Sequence, residues 1–236
     1  MSSYKEHTLF GILFTLLFFQ NPISLAIALI GISLPDFDHK IKKDKVYKMI
    51  IVGLLIFIAL YLFNLAYILG IMICILAIIL YFSNHRGFTH SLVGISILSG
   101  LIFLIIILGS SIVTSSINLI PISQMANNKE LSIIIITIFM VFLFLNRRLL
   151  AAFLILFLSG IVFFPIVNIS WYSVLFPLLL GFISHLILDS FTPSGIELFR
   201  PFSSKKVHKK FGIAMMILFG LLAIFNWVNI LRFGLF

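Results

Sequence analysis

The chain has 236 residues, 62% of them hydrophobic and 10% charged, with a formal net charge of +9. Soluble domains are about 45–50% apolar and about 25% charged, so this composition excludes disorder, a fibrous repeat and a conventional soluble enzyme core. Residues 49–82, 91–128, 149–184 and 211–231 contain no Asp, Glu, Lys or Arg. The first and third of these runs are long enough for two passes each, at roughly 20 residues per membrane helix. The expected class is an all-α, polytopic membrane protein, with residues 1–236 forming a single integral-membrane domain.

In chain order, Lys5, the apolar stretch 8–19 and Ala26-Ile27-Ala28 loosely imitate a signal peptide. The residues after Ala28 stay apolar through Leu34, so retention is expected instead. Residues 9–34 are interrupted at Gln20-Asn21-Pro22, and proline ends or kinks a helix. The segment is either one kinked span or two half-length helices forming a re-entrant hairpin. Residues 49–82 would be about 50 Å long as one helix, too long for a single crossing, and are expected to turn around 62–65. Further spans are expected at 91–109, 131–146, 149–165, 172–189 and 211–231.

Seven spans and a short N-terminal re-entrant helical hairpin give a consistent topology. Its basic connections, 40–48, 147–148 and 200–210, share one side, which the positive-inside bias makes cytoplasmic. Cations so placed meet anionic headgroups and argue against nucleic acid as the primary partner. Cys74 is the single cysteine and lies within an apolar run, so no intrachain disulfide forms. The oligomeric state is not set by the sequence.

Six histidines and seven acids are spread over the chain, and most fall in three clusters. These are Leu34-Pro35-Asp36-Phe37-Asp38-His39, His85-Arg86-Gly87-Phe88-Thr89-His90-Ser91 and Ser184-His185-Leu186-Ile187-Leu188-Asp189; His7 adds a fourth point. In the expected topology all four lie at the basic end of a hydrophobic segment, so distant stretches bring ionisable groups to one level. His185 and Asp189 are four apart and share a helix face; they suit either a metal or a polar pair fixing a helix end. Ionisable groups within apolar spans are costly and point to function.

His85 and His90 diverge on an ideal helix, but Gly87 between them favours a turn that lets both converge. Thr89 or Ser91 can cap the helix that follows. Arg86 is either a headgroup anchor or a clamp on a phosphate oxygen. Asp36, Asp38 and His39 suit a hard or borderline metal, or a solvated membrane exit continuing into the lysines. His7 joins the others only if 9–34 is re-entrant. Imidazole and carboxylate donors without thiolate suit zinc, with manganese or iron as alternatives, in a site of one to three ions. Such a site acidifies water and clamps phosphoester oxygens. His208 reads as part of a basic strip, and Glu197 as a partner for Arg200 or a nearby lysine.

At these residues the sequence resembles the YdjM-type family of membrane-bound, metal-dependent hydrolases. The matching stretches are His7 with Gly11, the three clusters, Thr192 with Gly195, and Leu198-Phe199-Arg200-Pro201-Phe202-Ser203. The resemblance implies a distant similarity to zinc-dependent phospholipase C and P1-type nucleases, with His185 and Asp189 matching their His-x3-Asp pair. Their second such pair is absent from this sequence.

Together these readings predict a membrane-embedded hydrolase. It would cleave a phosphoester of a phospholipid or lipid-linked substrate by metal-activated water. The expected metal ligands are His7, Asp36, His39, His85, His90, His185 and Asp189. Asp38, Arg86 and Thr89 are the expected catalytic residues, with Asp36 or Asp38 as general base where it is not a ligand. Its expected partners are membrane lipid and a lipid-like or phosphorylated substrate. A divalent-metal transporter would instead hold its ligands near the bilayer midplane, and a purely structural metal site would leave no turnover to lose.

Overall fold

The computed structural model describes residues 4–38, 43–83, 87–118, 128–145, 147–163 and 169–233. Among them are nine α-helices and no strand; an isolated antiparallel bridge joins Ile196 and Val207. The first two helices, α1 (Tyr4–Leu16) and α2 (Pro22–Ser33), meet where the sequence predicts a break. Asn21 Oδ1 accepts a 2.7 Å hydrogen bond from the Ser24 amide and Pro22 opens α2, an arrangement that satisfies one of the helix's orphan donors. Ten of the twelve residues of α2 are buried, so this helix is interior on every side.

Its main partner is α8 (Tyr172–Ser190). The two run parallel: Ser24 Oγ donates to the Ser173 carbonyl at 3.0 Å near one end, and His185 Nδ1 donates to the Ile32 carbonyl at 2.8 Å near the other. The Ser173 carbonyl is available because Pro177, four residues on, has no amide to offer it. Two glycines bring the backbones together. A Cβ on Gly31 would fall on the Leu178 carbonyl oxygen, and one on Gly181 on that of Ala28.

Helix α1 runs antiparallel to both, placing Phe14 against Leu180 and Ile187 and Gly11 against Ile32 and Ser184. The hairpin therefore enters and leaves at one end. Its turn, however, lies abreast of the first turn of α8, so the hairpin is nearly as deep as α8 and not half its depth.

The remaining helices are α3 (Lys43–Leu62), α4 (Ile68–Phe82), α5 (Leu92–Asn118), α6 (Asn128–Phe144), α7 (Arg147–Phe163) and α9 (Lys209–Phe233). They correspond to the other expected segments with shifted ends. Asn64 takes a left-handed conformation (φ 52°) in the turn between α3 and α4, which asparagine tolerates better than most residues. Helix α5 runs nine residues beyond the expected end. Its polar tail supports itself, with Ser110, Thr114, Ser115 and Ser116 each donating to a carbonyl one turn back.

Helices α3, α5, α8 and α9 are long and apolar enough to cross a membrane. Within them the buried share is 67% for α8 but 17% for α3 and 11% for α9. The hairpin and α8 thus form the interior, and α3 and α9 stand at the periphery. The starts of α1, α3 and α5 and the ends of α2, α6 and α8 lie together at one end of the bundle. Lys5, Lys45, Lys48, Arg200, Lys205, Lys206, Lys209 and Lys210 lie at that end; Lys129 lies at the other, over the Trp171 ring.

Candidate metal centre

The last turn of α8 carries His185 and Asp189, both buried, on the face toward the hairpin. Helix α1 supplies His7, buried at 3% exposure, from its first turns. After α2 the chain tightens into a 3-10 turn, Pro35–Asp38, with Pro35 preventing the α-helix from continuing. This turn points Asp36 at the same spot. A second 3-10 turn, Phe88–His90, follows Gly87 and brings in His90. Ser91 Oγ then accepts the Gly94 amide at 3.0 Å and caps α5. Gly94 sits so close to the Phe88 carbonyl that no side chain would fit between them.

These elements converge on Asp189. Its Oδ1 lies 3.4 Å from His7 Nε2, and its Oδ2 lies 3.1 Å from His90 Nε2 and 3.6 Å from His185 Nε2. Asp36 Oδ1 is 3.7 Å from the same His185 nitrogen. The His7 and His185 rings stack at 4.0 Å between centroids, and His90 meets His185 edge-on at 5.4 Å. His7, His185 and Asp189 each offer a donor atom within 4.8 Å of the others. The Asp36 side chain is 23% exposed and that of His185 0%, so the cluster opens past Asp36.

The protonation of His185 follows from its partner. A carbonyl can only accept, so Nδ1 carries the proton that binds Ile32, and the Nε2 lone pair faces two carboxylate oxygens. A proton on Nε2 would draw one of those oxygens to about 2.7–2.9 Å, and at 3.6 and 3.7 Å neither is that close. A bound cation would reconcile these facing lone pairs. Two ligands held tetrahedrally about 2.0–2.1 Å from zinc stand about 3.3–3.4 Å apart, and the four separations bracket that value. Imidazole and carboxylate donors fit zinc or manganese. The Ile32 carbonyl is placed as an outer partner that would fix the tautomer of His185 were it to bind a metal.

Of the residues expected at the site, the structure brings together His7, Asp36, His90, His185 and Asp189. Thr89 adjoins them, its Oγ1 3.0 Å from His90 Nδ1. The backbone of Asp38 lies in the first 3-10 turn; its side chain, and His39, His85 and Arg86, lie outside the described residues. Sequence reasoning missed the Ile32 carbonyl, which no side-chain pattern can reveal. It also missed the Tyr4–Ser33 hydrogen bond of 2.8 Å that ties α1 to α2 beside the cluster. Glu197 does pair with Arg200, at 2.8 Å.

Residues 1–235 match the family model described as YdjM inner membrane protein, and the chain belongs to that family. No curated protein and no solved structure matches the chain.

Proposed function

We propose that this protein is a membrane-embedded, metal-dependent hydrolase that cleaves a phosphoester of a phospholipid or lipid-linked substrate. In this reading α3–α9 cross the membrane seven times, and the α1–α2 hairpin enters from the basic side. The site then faces the cytoplasm. The observation that carries the proposal is the buried Nε2 of His185, its lone pair directed at oxygens of Asp36 and Asp189 at 3.7 and 3.6 Å.

His7, His185 and Asp189 would hold one ion, and Asp36 and His90 would complete its shell or bind another; zinc or manganese, one to three ions, suits this donor set. A bound divalent cation supplies Lewis acidity, acidifying water and drawing charge from phosphoryl oxygens. The chain's own residues supply the rest. Asp36, at the opening, or Asp38 in the same turn accepts a proton from the attacking water. Thr89 orients His90 through Nδ1. Arg86 stabilises charge on the phosphoryl oxygens. Asp189 lies one residue before the end of α8, a position suited to a headgroup at the interface. A transporter would hold its ligands nearer the midplane.

The test is elemental analysis of purified protein alongside turnover on a phospholipid and phosphodiester panel. Between one and three equivalents of zinc or manganese are expected, lost in His185→Ala and Asp189→Ala together with turnover. Absence of bound metal after metal-loaded purification would overturn the proposal.

A further inference from the structure

The connection between α8 and α9, residues 191–208, is a second feature of the basic end. Its neck is closed by Ile196 and Val207, which exchange backbone hydrogen bonds of 3.1 and 2.9 Å. Gly195 turns the chain into that pair with φ 62°, a left-handed conformation that glycine adopts without strain. A Cβ there would lie 2.7 Å from the Val207 carbonyl oxygen and 2.8 Å from His208 Nε2. Ile196 and Leu198 are buried, and the Leu198 carbonyl accepts the Leu92 amide at 2.9 Å.

These anchors set the depth of the tip, residues 197–206. Leu92, Ser190 and Lys209 are end residues of α5, α8 and α9, three helices long and apolar enough to cross a membrane. The tip therefore lies at the level where all three meet the headgroups. Phe202 is 87% exposed, more than any other large apolar side chain among the described residues, and Phe199 is 49% exposed. Ile196 and Leu198 point inward from the same loop, so the two phenylalanines are not outside for want of a core. Lys205 and Lys206 follow on the return limb, both exposed. Arg200 pairs with Glu197 at 2.8 Å, so the net charge of the tip is that of the two lysines.

Exposed aromatic rings beside cations are the composition of an interfacial anchor, with rings in the upper acyl region and ammonium groups at phosphate depth. The same stretches of chain hold the tip and the histidine cluster. The Thr192 amide donates to the Asp189 carbonyl at 3.0 Å, and Leu92 lies two residues after His90.

We propose that this tip binds anionic phospholipid of the surrounding bilayer, with Phe199 and Phe202 among the upper acyl carbons and Lys205 and Lys206 on the phosphate, and so concentrates that lipid beside the histidine cluster. A zwitterionic lipid offers the rings the same hydrocarbon but brings no net charge to the lysines; a soluble anion offers the reverse. The lipid's use as substrate rests on the hydrolase reading, whereas its binding does not.

The experiment uses the full chain, metal-loaded, in nanodiscs of phosphatidylcholine with a minor share of phosphatidylglycerol. Cys74→Ala and Ser204→Cys place one environment-sensitive fluorophore at an exposed tip position, and lipids brominated on the upper acyl carbons quench it where they adjoin it. At equal share, brominated phosphatidylglycerol should be enriched at the tip at least about fivefold over brominated phosphatidylcholine, the value of a single cation near anionic lipid. Lys205→Gln with Lys206→Gln should bring the two lipids to parity. Phe199→Ser with Phe202→Ser should weaken quenching by both several-fold and keep their order. All four positions are exposed, so metal content and melting temperature should stay unchanged. Equal quenching by the two headgroups, or quenching by neither, would overturn the proposal. So would loss of the preference on adding inorganic phosphate at constant ionic strength, which would assign the lysines to a soluble anion. Preferential quenching without turnover would sustain the lipid element while the hydrolase reading fails; turnover without it would do the reverse.

Discussion

Replacing Gly181 with alanine tests whether the α2–α8 crossing sets the metal site. The added Cβ would sit closer to the Ala28 carbonyl oxygen, by about an ångström, than real Cβ atoms come to any neighbour, with the Ile32 amide nitrogen at 3.0 Å. Both obstacles are backbone, so no side chain can swing aside and the helices must part by about that much. The His185 Nδ1 to Ile32 carbonyl distance, now 2.8 Å, would grow to about 3.8 Å, beyond hydrogen-bonding range. Overpacking costs about 1–3 kcal/mol and the lost hydrogen bond about 0.5–1.5 kcal/mol, giving about 1.5–4.5 kcal/mol together. Loss of an outer partner weakens metal affinity about 10–100-fold. Calorimetric zinc titration of the purified variant, with thermal unfolding in parallel, reads both numbers. Wild-type zinc affinity in Gly181→Ala would refute the claim that this crossing holds His185 in register.

The same substitution at Gly100, where a Cβ meets nothing within 4 Å, should leave metal binding unchanged and raise thermal stability by up to about 1 kcal/mol through helix propensity. Lys45→Met should cost about 1–2 kcal/mol in thermal unfolding, because the Phe144 and Leu145 carbonyls at the end of α6 lose their donor. Chelation should lower the melting temperature and stoichiometric zinc restore it, since an ion bound only by the folded chain stabilises that state; an unchanged melting temperature would argue against a resident ion. Glu197→Ala removes a partly exposed pair and should shift stability by less than about 1 kcal/mol.

Much of the architecture is legible in the sequence because the membrane-type signal is coarse and strong. Charge-free runs reveal the helical segments, and Asn21-Pro22 marks the hairpin turn. Ends are less legible: α5 continues through Ser110–Asn118 because its hydroxyls bond back to their own helix, which hydropathy scores as polar. The gathering of His7, Asp36, His90, His185 and Asp189 is foreshadowed by their common place at the basic end. The register is not. It depends on Gly31 and Gly181, which read as ordinary helical glycines until the facing carbonyls are known. Nor does the sequence show that Ile32 contributes a carbonyl.

The parallel pairing of α2 with α8 has a consequence for how the chain is made. His185 and Ile32 are 153 residues apart, so the hairpin leaves the ribosome long before its partner exists. At about 5–20 residues per second, roughly eight to thirty seconds separate the two. During that interval Ser24 and His7, both buried in the finished protein, lack the Ser173 and Asp189 partners that α8 gives them. The hairpin is thus complete well before the helix that packs against both of its arms exists. The His/Asp cluster is therefore a late product of assembly, closed by the C-terminal half of the chain.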